Sequence, residues 1–256
     1  DPLGLRPEIT ASIVRAASTR FKEYERPLRF WSTCTSFKCN QNVDGGIDIE
    51  ESFQSGVELI GIKAINAEIE LLTLLIESLK AIEIDQKYNM TLLIGNTYLL
   101  ELILSSLDST KIEQIKNILC DLDYIELSTL DVDEEQRTFI KKIMNMRGRP
   151  ETILSSLKNI YGSNYYIDNL KELFTIIEPL AKDKGIEVQL DPTLGTKYKL
   201  YSGLTFSLVS SSSSSPVVIA KGGRYDELVK KFSSSDHNCF GIGFSISIDK
   251  VRELVS

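Results

Sequence analysis

At Gly61 the chain changes its period. Before it, Pro27 to Phe37 and Glu51 to Ile60 mix aromatic, β-branched and small residues as strands do, on either side of a polar, glycine-bearing loop from Asn40 to Gly46. After it, Ile69, Leu72, Leu75, Ile76 and Leu79 fall on one face of a helix led by Asn66 and Glu68. Two strands around a loop predict an antiparallel hairpin, and the helix that follows supplies an apolar face to cover a sheet. Upstream, Ile13, Val14, Ala16, Ala17 and Phe21 predict a helix from Thr10 to Tyr24, entered through Pro7-Glu8-Ile9-Thr10, which offers a proline and a potential cap.

Downstream, Thr91 to Ile94 reads as a short strand, and Tyr98–Leu107, Thr110–Leu122, Asp133–Met144 and Pro150–Tyr161 as helices with no chemistry concentrated in them. They form a helical insertion over about residues 96–165 of a single domain spanning 1–256. Asn169 to Lys184 is a further amphipathic helix closed by Gly185, and Ile186 to Leu190 returns to strand, leading to Lys197–Val209. The serine run Ser210 to Ser215 reads as a flexible hairpin tip, and Val217 to Ala220 as the returning strand. Lys221-Gly222-Gly223-Arg224-Tyr225-Asp226 then opens a helix from Glu227 to Phe232, and strand, glycine run and helix together have the shape of a ligand cradle. Phe240 to Ile248 alternates glycine with aromatic and aliphatic residues before a last helix from Asp249.

With 256 residues, 42% of them hydrophobic, the chain can bury a sizeable core. Lys and Arg number 29 against 36 Asp and Glu, a net charge of -7, and no basic run is interleaved with aromatics, so tRNA is not an expected partner. Cys34, Cys39, Cys120 and Cys239 show no paired C-x-x-C spacing and His237 is the single histidine, sitting in a polar, solvated stretch. The expectation is reduced thiols, no metal and no cofactor. The longest apolar stretch is too short and too interrupted by Glu to cross a bilayer, which predicts a soluble, cytoplasmic protein. The opening Asp1-Pro2-Leu3-Gly4-Leu5 reads like the middle of a domain, so residues are expected to be missing upstream.

Four segments in order carry a resemblance: Leu5-Arg6-Pro7-Glu8-Ile9-Thr10, Phe53-Gln54-Ser55-Gly56-Val57-Glu58-Leu59-Ile60-Gly61, Gly222-Gly223-Arg224-Tyr225-Asp226 and Gly241-Ile242-Gly243-Phe244. Together they resemble the class II histidyl-tRNA synthetase family. That resemblance implies an α+β fold, an antiparallel sheet flanked by helices, and a histidine pocket in which Glu8, Gln54 and Glu58 hold the α-ammonium while Tyr225 walls the imidazole. An ammonium offers three N–H donors, which carboxylates and an amide oxygen satisfy. On residue type alone, glutamates in turns are commonly solvated and tyrosines commonly core.

Departures from the family pattern fall on the nucleotide half. Where the family has the arginine of Phe-Arg-x-Glu, this chain has Lys38; where it has the arginine of Arg-Gly-Leu-x-Tyr-Tyr, it has Ser202; and where it has the arginine of Gly-Leu-Glu-Arg, it has Lys250. Lysine is a point charge that cannot clamp a phosphate bidentately, and serine has no charge, so no catalytic residues for adenylate formation are expected. The chain also ends shortly after Arg252, where an anticodon-binding domain would be expected to follow. This combination resembles the regulatory subunits of ATP phosphoribosyltransferase. It implies a non-catalytic protein, required by a short-form catalytic subunit in the first step of histidine biosynthesis and taking histidine as an allosteric feedback ligand. Hetero-oligomer formation and self-association as a dimer are implied as well. The alternatives are a divergent histidyl-tRNA synthetase fragment, an amino-acid-binding module with a different partner, or a phosphoribosyl transferase in its own right. For the last, Asp131-Val132-Asp133-Glu134-Glu135 lacks the Thr/Gly-rich phosphate cradle and reads as a solvated helix start.

Overall fold

The hairpin dictated by the two strand-like segments forms one edge of the sheet. Strands β1 (Leu28–Gln41) and β2 (Ile47–Ile60) pair antiparallel in unbroken register from Leu28↔Ile60 to Gln41↔Ile47. Both strands are longer than their apolar pattern predicts, because the ribbon runs on past the sheet into residues exposed to solvent. This computed structural model describes residues 4–41, 45–63, 65–82, 84, 88–195, 200–212, 215–233 and 239–255.

Five further strands follow: β3 (Met90–Asn96), β4 (Glu187–Leu190), β5 (Leu204–Ser210), β6 (Val217–Arg224) and β7 (Gly241–Ser247). Their order is β1-β2-β7-β6-β5-β3-β4. All neighbours are antiparallel except β3 and β4, so the expected antiparallel sheet carries one parallel edge strand. The helices are α1 (Thr10–Thr19), α2 (Ile65–Ala81), α3 (Thr97–Leu104), α4 (Ile112–Asp121), α5 (Tyr124–Thr129), α6 (Glu134–Met144), α7 (Pro150–Tyr161), α8 (Tyr165–Asp183), α9 (Asp226–Phe232) and α10 (Ile248–Val255).

Leu59 and Ile60 are adjacent in β2 yet belong to different apolar clusters, because successive strand residues point to opposite faces. Leu59 joins the main core, where Leu72 and Leu75 of α2 meet Leu92, Phe206 and Ile242 of the sheet, and where α3 to α8 also bury their apolar faces. Ile60 joins a smaller cluster with Val14 and Ala17 of α1, Tyr225 and Val229.

Several local readings change. Helix α1 stops at Thr19, and its free N–H at Ala11 is capped by the carboxylate of Glu8 (3.2 Å to each oxygen), not by Thr10. Helix α4 ends with Leu122 in the left-handed conformation (φ 53°), and Asp123 caps α5, an element too short to carry a visible period. Helix α8 starts four residues earlier than its apolar stripe, with Asn164 as cap. Asp133 caps α6 and Glu134 and Glu135 fill its first turn, so the acidic run is a helix start. Ser210 closes β5 fully buried, its hydroxyl donating to the Tyr88 carbonyl (2.7 Å); it is not part of a tip, and residues 213–214 lie outside the described ones. His237 lies outside them as well. Gly222 and Gly223 are not a loop before a helix but the last turn-free stretch of β6, paired with β5 and β7.

Behind that stretch Arg224 is buried and holds two acids. Its Nε donates to Glu68 of α2 (3.1 Å) and its Nη1 to Asp226 (3.0 Å), tying the helical layer to the β6–α9 corner. Arg224→Leu leaves both acids without their cation, and the expected cost is about 3–5 kcal/mol. Urea unfolding of the variant measures it, and a loss under about 1 kcal/mol would show that the cluster is not structural.

Candidate functional site

The residues of Gln54-Ser55-Gly56-Val57-Glu58 alternate across β2, so Gln54, Gly56 and Glu58 share one face. Registry extends that row sideways. Glu58 stands opposite Phe30 of β1 and Gly243 of β7, and Gly243 stands opposite Gly223 of β6. Lys38 stands opposite Glu50 on the same face, four residues along β1 from Cys34, which faces Gln54. The turn that caps α1 hangs over this floor and brings Glu8 and Thr10 to it.

Glu58 is the centre of the arrangement and is only 4% exposed. The Thr10 hydroxyl donates to its Oε1 (2.7 Å) and the Tyr225 hydroxyl to its Oε2. Burial pushes the Glu58 carboxyl up to about 7, with the Tyr225 and Thr10 hydrogen bonds holding it lower than burial alone would and the Glu8 charge pushing it further up. The same burial, with the Glu58 and Glu8 charges, raises the Tyr201 phenol to about 12, and burial beside Glu58 lifts Tyr225 well above the usual phenol range.

Two glycines make room for this cluster. A Cβ at Gly243 would fall on the Glu58 carboxylate, and one at Gly241 would fall on the Tyr225 ring. The Gly-x-Gly spacing of β7 is therefore a steric slot for an acid and a phenol on the neighbouring elements.

Glu8, Gln54, Glu58 and Tyr225 line one cavity of about 80 Å³. Thr10 and Tyr201, which neither residue type nor spacing marks as ligands, line it too. Thr10 closes the Leu-Arg-Pro-Glu-Ile-Thr segment, but hydroxyls near helix starts read as caps; Tyr201 sits in no apolar pattern. Gln54 turns its amide N–H to Ser52 (3.3 Å), which leaves its carbonyl oxygen for another donor.

A second cavity of about 440 Å³ adjoins the first, sharing Glu8, Gln54, Lys221 and Ser245, and it holds Lys38 and Lys250. Asp249, next to Lys250, accepts the Phe53 N–H (2.6 Å) and anchors the start of α10 there. Ser202 lies elsewhere: it is 7% exposed, lines neither cavity, and accepts the Asp226 N–H through its hydroxyl (2.9 Å). Among the described residues no group of three His, Cys, Asp or Glu could hold a metal, and no helix is long and apolar enough to cross a membrane.

A mixed sheet under a helical layer, with an acid-and-phenol pocket on its open face, matches a family of known proteins: the chain belongs to the histidyl-tRNA synthetase family, whose model matches residues 1–251. Within that family it is 86% identical over 256 residues to the ATP phosphoribosyltransferase regulatory subunit of Prochlorococcus marinus (strain NATL1A), covering all of this chain and 66% of that protein. The chain thus spans just under two thirds of the length of that relative. The fold is shared with an ATP phosphoribosyltransferase regulatory subunit/histidyl-tRNA synthetase from Bacillus halodurans C (TM-score 0.80, 22% identity, 98% of this chain and 64% of that one). It is also shared with a chain of the ATP phosphoribosyl transferase (HisG:HisZ) complex from Thermotoga maritima (TM-score 0.72, 21% identity, 96% and 81%).

The raised Glu58 carboxyl carries a stability signature. Because its folded value, about 7, lies above the ordinary 4.5, the folded protein binds more protons than the unfolded chain between those limits. Stability from this group is therefore fully present below pH 4.5 and lost as pH rises towards 7, by roughly 3 kcal/mol. Unfolding of the wild type and Glu58→Gln in urea from pH 5 to pH 8 tests this. The wild type should lose stability relative to the variant as pH rises, whereas parallel profiles would contradict the burial of an ionisable Glu58.

Proposed function

We propose that this chain is the non-catalytic, histidine-sensing part of an ATP phosphoribosyltransferase regulatory subunit. It works in the cytoplasm in a hetero-oligomer with a short-form catalytic subunit that needs it, in the first step of histidine biosynthesis. The observation that carries this reading is the contrast between two adjoining cavities: one keeps Glu8, Gln54, Glu58 and Tyr225 together, the other offers only lysines at Lys38 and Lys250. In the first, the Gln54 carbonyl and the Glu58 and Glu8 carboxylates are acceptors for the three donors of an α-ammonium. In the second, a lysine gives charge without the fork that fixes a transferring phosphate, and Ser202 spends its hydroxyl on the Asp226 backbone. High identity to a named regulatory subunit supports the same conclusion. Binding of histidine would be the allosteric input for feedback inhibition. Self-association as a dimer draws support from the ribbon, whose one face carries Trp31, Ile49 and Phe53 exposed to solvent. An alternative reading, a divergent histidyl-tRNA synthetase fragment, has the histidine pocket in its favour but no arginine at positions 38, 202 or 250.

The deciding experiment assays the short catalytic subunit with and without the protein that contains this chain. Condensation of ATP with phosphoribosyl diphosphate should require it and become sensitive to histidine, and the protein alone should do neither that condensation nor histidine-dependent pyrophosphate exchange. Exchange at the rate of a working synthetase would favour the alternative. Within the pocket, Glu58→Gln replaces a charge-assisted acceptor by a neutral amide, so at pH 8 histidine affinity should fall roughly tenfold or more. Equal affinities in two folded proteins would remove Glu58 from the site.

A further inference from the structure

Glu58 has no ion-pair partner among the described residues. Its two oxygens meet two hydroxyls, Thr10 from the start of α1 and Tyr225 from the β6–α9 corner, and a hydroxyl can turn to donate or to accept. The other titratable or charged groups facing it are Glu8 from the turn before α1, Cys34 on β1, Tyr201 ahead of β5 and Lys221 on β6. Glu8 repels its charge, and Gly243 leaves no side chain on β7 to offset that. A carboxyl in this setting is best satisfied in one of two ways. As the neutral acid it donates to one hydroxyl and accepts from the other. As the carboxylate it accepts from both and still has lone pairs for a cation.

We infer that an α-ammonium ligand enters this pocket in exchange for a proton: Glu58 holds one in the ligand-free protein, and releases it to solvent when the ligand's ammonium docks. The Glu58 O–H bond breaks, its proton goes to buffer, the hydroxyl that had accepted it turns to donate, and the ammonium keeps all three of its own N–H bonds. Below the Glu58 value of about 7 the pocket thus swaps a neutral acid for a carboxylate–ammonium pair, without passing through an isolated buried charge. This inference rests on the reading of the pocket as a histidine site. A folded-state value of about 7 places the exchange near neutral pH, so occupancy at fixed histidine falls as pH drops below it.

Calorimetric titration of histidine into the wild type and Glu58→Gln, at pH 6 and pH 8 and in two buffers of different protonation enthalpy, tests it. The imidazole of histidine titrates in the same range, but equally for both proteins, so their difference isolates Glu58. At pH 6 the wild type should release nearly one proton more than the variant, and at pH 8 no more. The affinity ratio of wild type to variant should be about tenfold larger at pH 8 than at pH 6. The same ratio and the same proton count at both pH values would overturn the inference while leaving the histidine site intact. No binding by the wild type at either pH would overturn the histidine reading and this inference with it. Where the variant binds too weakly to titrate, infrared difference spectra of the wild type at pH 6 decide: histidine should abolish the protonated-carboxyl C=O band, and an unchanged band would contradict the exchange.

Discussion

A carboxyl taken almost wholly out of water, and met there by two neutral hydroxyls, is the interaction around which this molecule is arranged. Glu58 costs desolvation energy that only well-placed donors can offset, and those donors come from distant parts of the chain. Thr10 arrives because the Glu8 carboxylate, not the threonine, caps α1 and leaves the hydroxyl free to reach β2. Tyr225 arrives because β6 ends at Arg224, whose guanidinium grips Glu68 on one side and Asp226 on the other and so fixes the corner. Asp226 in turn accepts the Gly241 N–H (2.9 Å), which locks the corner to β7, the strand whose Gly243 leaves the acid its space.

The same sheet face carries both cavities, and strand register sets them side by side. Residues at i, i+2 and i+4 of β1 and β2 share that face, so Gln54 and Glu58 lie towards the sheet centre, while Lys38 and Glu50 lie out along the ribbon. Lys38 and Lys250 line the second cavity and not the first, which holds the acid, its hydroxyls and its glycine slot. Position 202 differs in kind: Ser202 sits under the β6–α9 corner and serves the backbone of Asp226.

Much of this could be read from residue pattern. The hairpin, the period change at Gly61 and the α2 and α7 helices follow from alternation and amphipathicity, and the four pocket residues named from the family resemblance do meet in one cavity. What escaped has physical reasons. Gly222 and Gly223 look like a loop because glycine carries no strand signal, yet their pairing comes from neighbours far away in sequence. Thr10 looks like a cap because local geometry favours it, and its true partner is 48 residues distant. Arg224 looks like a surface cation, and only the fold brings Glu68 from 156 residues away to bury it. Helix α5 is shorter than two turns and shows no period at all.

The central claim is that the amino-acid half of the site works and the nucleotide half does not. Titrating histidine and, separately, ATP with Mg²⁺ into the same preparation tests that claim most directly. Saturable binding of histidine, with no saturable heat from ATP in the cavity of Lys38 and Lys250, is the predicted result. Saturable binding of ATP, or no binding of histidine, would contradict the account.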